Sequence, residues 1–223
     1  MSANIKQIRQ SIIIMGIMVI ILWLILLLQS FSLIPKECFG IRPRVWRQAW
    51  GIFTAPFFHS GVKHLIANTL PLWILGAAVG IFYGKIAVRV WLYIYLASGF
   101  WLWVMGRPGC HIGASGLIYG LAFFLFFAGV LSRDRRALAL SLIVAFLYGS
   151  IVWGVLPGQE GVSWEGHLLG ALAGVVTALL MRKPIRDLYR EGSPEPEENE
   201  DDDSGIWNYR KHSPPPKGMK HPD

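Results

Sequence analysis

The sequence predicts an all-α polytopic membrane protein, a bundle of six transmembrane helices with both termini in the cytoplasm. Three observations predict it. Hydrophobic residues make up 53% of the 223 positions and charged residues only 16%, against about 25% charged in soluble domains, and the mean hydropathy is +0.44. Several apolar stretches approach the roughly 20 residues that cross a bilayer core. The basic residues cluster between those stretches, where membrane proteins keep them, so the formal charge of +7 marks membrane flanks and not a nucleic-acid surface.

The first apolar run is Ser11 to Gln29, with Lys6 and Arg9 before it. Its length, and the lack of a small-residue cleavage site after it, favour a retained span over a signal peptide. Residues 1–10 then form a short cytoplasmic N-terminus and 11–182 the membrane domain. Ser30 to Phe58 is too polar to cross simply, and its Trp46, Arg47 and Trp50 suit the membrane interface. Further spans are read at about Gly61 to Phe82, Ile86 to Met105, His111 to Leu131, Ala137 to Leu156 and Trp164 to Met181.

With the N-terminus inside, Lys6, Arg9, Lys85, Arg89, Arg133, Arg135, Arg136, Arg182, Lys183, Arg186 and Arg190 all fall in cytoplasmic flanks, as the positive-inside bias requires. Lys36, Arg42, Arg44 and Arg47 in the first external loop are an exception that the bias does not explain. Residues 183–223, with the acidic run Glu191 to Asp203 and Pro214 to Pro216, have too little apolar content for a core and read as a disordered cytoplasmic tail. Cys38 and Cys110 fall in loops on the same external side. They are compatible with a disulfide, but two free thiols are the favoured expectation.

Polar and ionisable residues inside spans are costly and mark functional candidates. Here they are His59, His64 and Asn68 at the second span, Ser115 in the fourth and His167 in the sixth. His64, Ser115 and His167 each lie about three to five residues into spans that run from outside to inside. Three helices thus place polar groups in one layer near the external face. His64 shares a helical face with Asn68, and Ser115 with Tyr119, each pair being four apart. Gly166, Gly170 and Gly174 repeat the small-residue spacing that lets helices approach closely. Gly113 and Gly116 flank Ser115 and free its backbone for close approach.

These residue types permit acyl transfer. A serine hydroxyl becomes a competent nucleophile when a neutral histidine accepts its proton. The Asn68 amide, the His64 imidazole and the Ser115 backbone N–H are candidate oxyanion donors. The layer holds no carboxylate to orient the base, because Glu165 points away from His167. The reading is therefore a Ser115–His167 dyad, with the Tyr119 ring holding the histidine. Each feature has a plainer explanation. Membrane-helix serines usually bond back to their own helix, a lone histidine usually packs, and glycines alone signify tight packing. It is their convergence in one layer that points to hydrolysis.

Those residues resemble the rhomboid intramembrane proteases, over roughly Ser11 to Met181. Trp46-Arg47 resembles the family's Trp-Arg pair, and His59, His64 and Asn68 its His-x4-His-x3-Asn element. Gly113-Ala114-Ser115-Gly116 resembles its GxSG motif, and His167, Gly170 and Gly174 its His-x2-Gly-x3-Gly element. The resemblance implies a six-helix core with a water-filled cavity open to the external side. It implies a serine endopeptidase in which Ser115 attacks, His167 is the base, and His64 and Asn68 serve the oxyanion, with Tyr119 stacked on the base. It gives His59, Trp46 and Arg47 structural roles, and implies no cofactor or metal. Substrates would be single-span membrane proteins cut in or near their span at small residues. It also implies a first loop partly embedded in the membrane. Gly166 departs from the alanine common before the histidine, a change of small for small. Inactive relatives lack the serine or the histidine, and this chain keeps both. A pseudoenzyme that binds client helices, or a small transporter lined by His and Asn, fits less well, since the dyad is intact and there are no paired halves. The absence of a transit peptide fits a bacterial plasma membrane. Physiological substrate and oligomeric state are not legible.

Overall fold

A computed structural model describes residues 4–34, 37–132, 135–149, 154–157 and 161–190. Seven α-helices are described: α1 (Ile5–Ser30), α2 (Gly51–Thr54), α3 (Val62–Met105), α4 (Ser115–Ser132), α5 (Arg135–Tyr148), α6 (Trp164–Leu180) and α7 (Arg182–Arg190). Three of them, α1, α3 and α4, are long and apolar enough to cross a membrane, and α6 with α7 qualifies as a pair bent by 59°. Helix α1 buries only the stripe Ser11, Met15, Leu22 and Leu26. It exposes Ile13, Ile14, Ile17, Ile20 and Leu24, as a helix facing lipid does.

Helix α3 has 44 residues, about 66 Å if straight at 1.5 Å per residue and about twice a hydrocarbon core of some 30 Å. It breaks at Tyr83, whose φ/ψ of −123°/19° is non-helical. The two spans expected as Gly61 to Phe82 and Ile86 to Met105 are thus joined by a kink and not by a loop. Tyr83 is fully buried against Phe124 and Tyr189, with ring centroids 5.1 and 6.2 Å away. From α1, Gln7 donates to the carbonyls of Gly80 and Ile81, both at 2.9 Å. These carbonyls lie just before the break, where helical geometry is interrupted and a carbonyl gains most from an outside donor.

At the centre, α4 and α6 pack backbone against backbone. A Cβ added to Gly170 would collide with the Gly116 carbonyl, and one added to Gly174 with that of Gly120. The small-residue spacing therefore forms the seam between the two helices.

The expected start of the fourth helix at His111 is corrected: α4 begins at Ser115 itself. The preceding segment is extended because His111 exchanges backbone hydrogen bonds with Ile41, 2.9 and 3.0 Å long. Gly113 then turns at φ +111°, a conformation that excludes L side chains. The same pairing overturns the expectation of free thiols. It brings Cys38 and Cys110 to a Cα separation of 5.9 Å, where they form a disulfide, within the usual bridging range. The bridge spans 72 positions, and a loop of that size gives about 4 kcal/mol in the chain-entropy account.

The boundary drawn before residue 183 falls inside α7, which buries Ile185, Leu188 and Tyr189. That i, i+3, i+4 spacing is an amphipathic signal masked by the surrounding charge. The rest of the expected tail, 191–223, lies outside the described residues, as do 150–153 of the fifth expected span.

In the first loop, Trp46 is 79% exposed and meets Trp103 edge-on at 4.7 Å. Arg47 is exposed and its carbonyl accepts from the Trp50 indole at 3.1 Å. The stronger anchor is Arg44, which the sequence reading did not single out. Its guanidinium donates to the Val104 and Gly106 carbonyls at 2.9 and 2.8 Å, at the end of α3. A cation there satisfies terminal carbonyls and the negative end of the helix dipole. Part of the first loop's excess positive charge thus has a local structural use.

His59, just before α3, is 3% exposed, and its Nε2 accepts from the Ala114 N–H at 3.4 Å. Burial first, then the neighbouring His64, lower its pKa from 6.5 to about 4, against a smaller opposing effect of the Phe57 carbonyl. The unfolded chain therefore binds a proton here more readily than the folded one. Stability from this site is complete above pH 6.5 and declines as pH falls toward 4, by on the order of 3 kcal/mol. Thermal unfolding followed across that window should show the decline, and His59→Gln should flatten it. A second expectation concerns the α4–α6 seam. Gly170→Val should lower the unfolding temperature by the equivalent of about 1–3 kcal/mol. Gly61→Ala, where an added Cβ meets nothing within 4 Å, should shift it by no more than about 0.5 kcal/mol.

Candidate active site

The starts of α3, α4 and α6 meet at one end of the bundle around a cavity of about 660 Å³. Its walls include His64, Asn68, Ser115, Tyr119 and His167. All five residues expected to act in the polar layer therefore share one space. Ser115 also borders a second cavity of about 40 Å³ on its first-loop side, walled by Ile52, Ala55, Tyr95, Ser98, Gly99 and Leu102. Tyr95 closes that side by donating its hydroxyl to the Phe53 carbonyl.

Because Ser115 is the first residue of α4, the N–H groups of this turn have no intrahelical acceptor and lie at the positive end of the helix dipole. The expected position several residues inside a span would have consumed those donors. The turn into the helix is held from the first loop, since the Gly113 N–H donates to the Ala55 carbonyl at 2.9 Å. The His64 ring packs on Gly113: a Cβ there would lie 2.7 Å from both Cε1 and Nε2. His64 Nδ1 pairs with the Ser60 hydroxyl at 3.2 Å, and the rings of His64 and His59 meet edge-on at 5.0 Å. Asn68, 4% exposed, donates from Nδ2 to the His64 carbonyl at 3.0 Å. An amide NH₂ has two hydrogens, so one remains for the cavity.

His167 lies in the first turn of α6, its N–H bonded to the Ser163 carbonyl at 3.2 Å. Tyr119 stacks flat on its ring, centroids 4.2 Å apart and planes 6° from parallel. Its Nδ1 is 2.9 Å from the Gly154 carbonyl oxygen. A carbonyl can only accept, so Nδ1 carries a proton, and in the neutral ring Nε2 keeps its lone pair. The sequence reading missed Gly154, which it placed within the fifth span. A Cβ there would collide with the Tyr119 hydroxyl, so any side chain would push Tyr119 from its place on the His167 ring.

Glu165 turns away from the cavity, as expected, and pairs with Arg107 at 3.2 Å. His111 also passed unremarked in the sequence. It is 6% exposed and borders both cavities. Gly116, Gly170 and Gly174 contribute the close helix seam beside the serine and histidine. Among the described residues, no group of three or more His, Cys, Asp or Glu side chains is placed to hold a metal.

Comparison with known proteins matches residues 46–184 to the Rhomboid domain family, more than half of the chain. A Mycobacterium tuberculosis protein named as uncharacterised is 39% identical over 179 residues, covering 75% of this chain and 74% of that one. Rhomboid protease GluP of Bacillus subtilis is 30% identical over 140 residues, covering 60% of this chain and 26% of the relative. RHOMBOID-like protein 4 of Arabidopsis thaliana is 28% identical over 148 residues, covering 60% and 35%. All the sequence elements that carried the resemblance from Trp46 onward lie within the matched segment, and the chain belongs to the rhomboid family.

Proposed function

We propose that this protein is an intramembrane serine endopeptidase that cuts single-span membrane proteins in or near their transmembrane segment, using Ser115 as nucleophile and His167 as base. The observation that carries the reading is the setting of His167. Its ring is clamped by Tyr119 and its Nδ1 proton is committed to the Gly154 carbonyl, in a cavity that Ser115 also lines. That is the tautomer a general base requires, obtained without a carboxylate.

In this mechanism Ser115 Oγ attacks the scissile carbonyl and its proton passes to His167 Nε2. The carbonyl oxygen becomes an oxyanion, met by the Ser115 N–H at the start of α4, by the free Asn68 Nδ2 hydrogen and by His64. With Ser60 donating to Nδ1, His64 carries its hydrogen on Nε2. Donors fixed before the reaction stabilise the developing charge without reorganisation. His167 then returns its proton to the leaving amine as the C–N bond breaks, leaving an acyl ester on Ser115. Water, deprotonated by His167, hydrolyses the ester. No step needs a metal or cofactor. The 40 Å³ cavity beside Ser115 has room for a side chain the size of alanine or serine but not for an aromatic ring, which supports a small residue at the cut.

The membrane arrangement is part of the proposal. The two halves of α3, with α1, α4, α5 and α6, make six crossings, and both termini are cytoplasmic. The protein sits in a bacterial plasma membrane, with the cavity open to the external side and residues 191–223 forming a cytoplasmic tail. A helix entering the site from the bilayer would present its backbone to Ser115 only where it unwinds, since helical N–H and C=O groups are otherwise internally paired.

Purified wild type should cleave a single-span substrate with a small residue at the scissile position, and Ser115→Ala and His167→Ala should both abolish cleavage with the fold retained. Equal cleavage by all three would expose a contaminating protease and remove the proposal. Asn68→Ala should lower kcat on the order of a hundredfold with KM little changed. A rise in KM with kcat intact would instead assign Asn68 to substrate binding.

A further inference from the structure

His111 is a buried, titratable side chain that the mechanism above does not use. Its backbone is fixed to the first loop by the paired hydrogen bonds with Ile41. Its side chain crosses to the other wall of the site, where Nδ1 lies 2.6 Å from the Ser163 hydroxyl oxygen. Ser163 is the N-cap of α6, and its side chain accepts from the Gly166 N–H at 3.2 Å. The other ring nitrogen, Nε2, is 2.9 Å from the Arg107 carbonyl. That carbonyl can only accept, so Nε2 carries a hydrogen, and in the neutral ring Nδ1 accepts from the Ser163 hydroxyl. Every polar atom of the pair has a defined role, and the cap and the ring hold one another in orientation.

The spacing gives this pair its reach. Ser115 lies four residues after His111, and His167 lies four residues after Ser163. The His111–Ser163 contact therefore joins the extended lead-in that delivers the nucleophile to the first turn of the helix that delivers the base, four residues before Ser115 and about one helical turn before His167. Arg107 reinforces the same junction through the Val162 carbonyl at 2.7 Å and Glu165 at 3.2 Å. Both His111 and Ser163 line the two cavities that flank Ser115.

We propose that His111 is a positioning residue which, through its hydrogen bond with the Ser163 cap, sets the separation and orientation of Ser115 and His167. The inference rests on the reading of those two residues as nucleophile and base. Small misplacements of reacting groups are expensive in rate, on the order of a hundredfold for about 1 Å, so a tie at this point acts mainly on the chemical step.

Two substitutions separate the contacts of the ring. Asn at 111 places an acceptor oxygen near the position of Nδ1 and keeps the Ser163 bond. Gln places a donor near the position of Nε2 and keeps only the Arg107 bond. The readout is the rate at which a small fluorophosphonate phosphonylates the full-length protein in detergent, followed by mass of the modified peptide, together with kcat and KM for peptide cleavage. Wild-type modification that Ser115→Ala abolishes establishes the underlying reading before any His111 variant is compared. Absence of modification at Ser115 in wild type would remove that reading and with it this inference. With the reading in place, His111→Gln and His111→Ala should each slow modification and lower kcat by about tenfold to a hundredfold, with KM within about twofold. His111→Asn should restore at least half of the wild-type rate. Adding Ser163→Ala to His111→Gln should cost little more than the worse single variant, as expected when two residues share one contact. Equal loss in the Asn and Gln variants, wild-type rates in Gln, or an effect on KM alone would overturn the proposal, because a purely structural or substrate-binding histidine would behave in those ways.

Discussion

Helices α4 and α6 approach so closely that carbonyl oxygens of one lie where a Cβ of the other would be: Gly116 against Gly170, and Gly120 against Gly174. Ser115 is adjacent to the first of those contacts in α4, and His167 lies three residues before it in α6. Such an approach is available only where side chains are absent, and in an apolar solvent it is packing, not water exclusion, that holds helices together. The seam brings the serine and histidine helices together, and much of the remaining structure at this end can be understood as orienting what the seam has made adjacent.

That orientation depends on satisfying the buried polar groups at this end of the bundle. An unpaired buried polar group costs about 1–3 kcal/mol, so each contact here is specific as well as stabilising. The first loop supplies most of them. Ile41 pairs with His111, the Ala55 carbonyl receives Gly113, His59 receives Ala114, and Cys38 is bonded to Cys110. Four of the five residues before Ser115 are thus tied to one polar, irregular segment. Arg44 ties that segment in turn to the end of α3. The loop is best understood as a brace for the residue that begins α4.

Much of this was legible in the sequence, and the exceptions have physical causes. The polar layer of His64, Asn68, Ser115, Tyr119 and His167 follows from helical spacing and shared depth, and the five residues do line one cavity. The glycine seam is visible because only small residues at fours allow such contact. Where the sequence misled, the deciding interaction was long-range or involved only backbone, except at α7. Apolar continuity from His111 hid an extended segment set by pairing with a residue 70 positions earlier, as Ile41 and His111 show. The disulfide depends on that same pairing. The Gly154 carbonyl leaves no trace in side-chain chemistry, since any residue has a carbonyl. Helix α7 was lost among charges, although Ile185, Leu188 and Tyr189 carry its periodicity.

In the proposed mechanism, Ser115, His167 and the donors around them form one prearranged site for a tetrahedral oxyanion. A crystal structure of the protein after reaction with a fluorophosphonate tests it most directly, because the phosphonate mimics that intermediate. A prearranged site gives phosphorus bonded to Ser115 Oγ, its oxygen within hydrogen-bonding distance of the Ser115 N–H and Asn68 Nδ2, and His167 still stacked on Tyr119. Modification at another residue, or a phosphonyl oxygen turned away from those donors with His167 displaced, would contradict it.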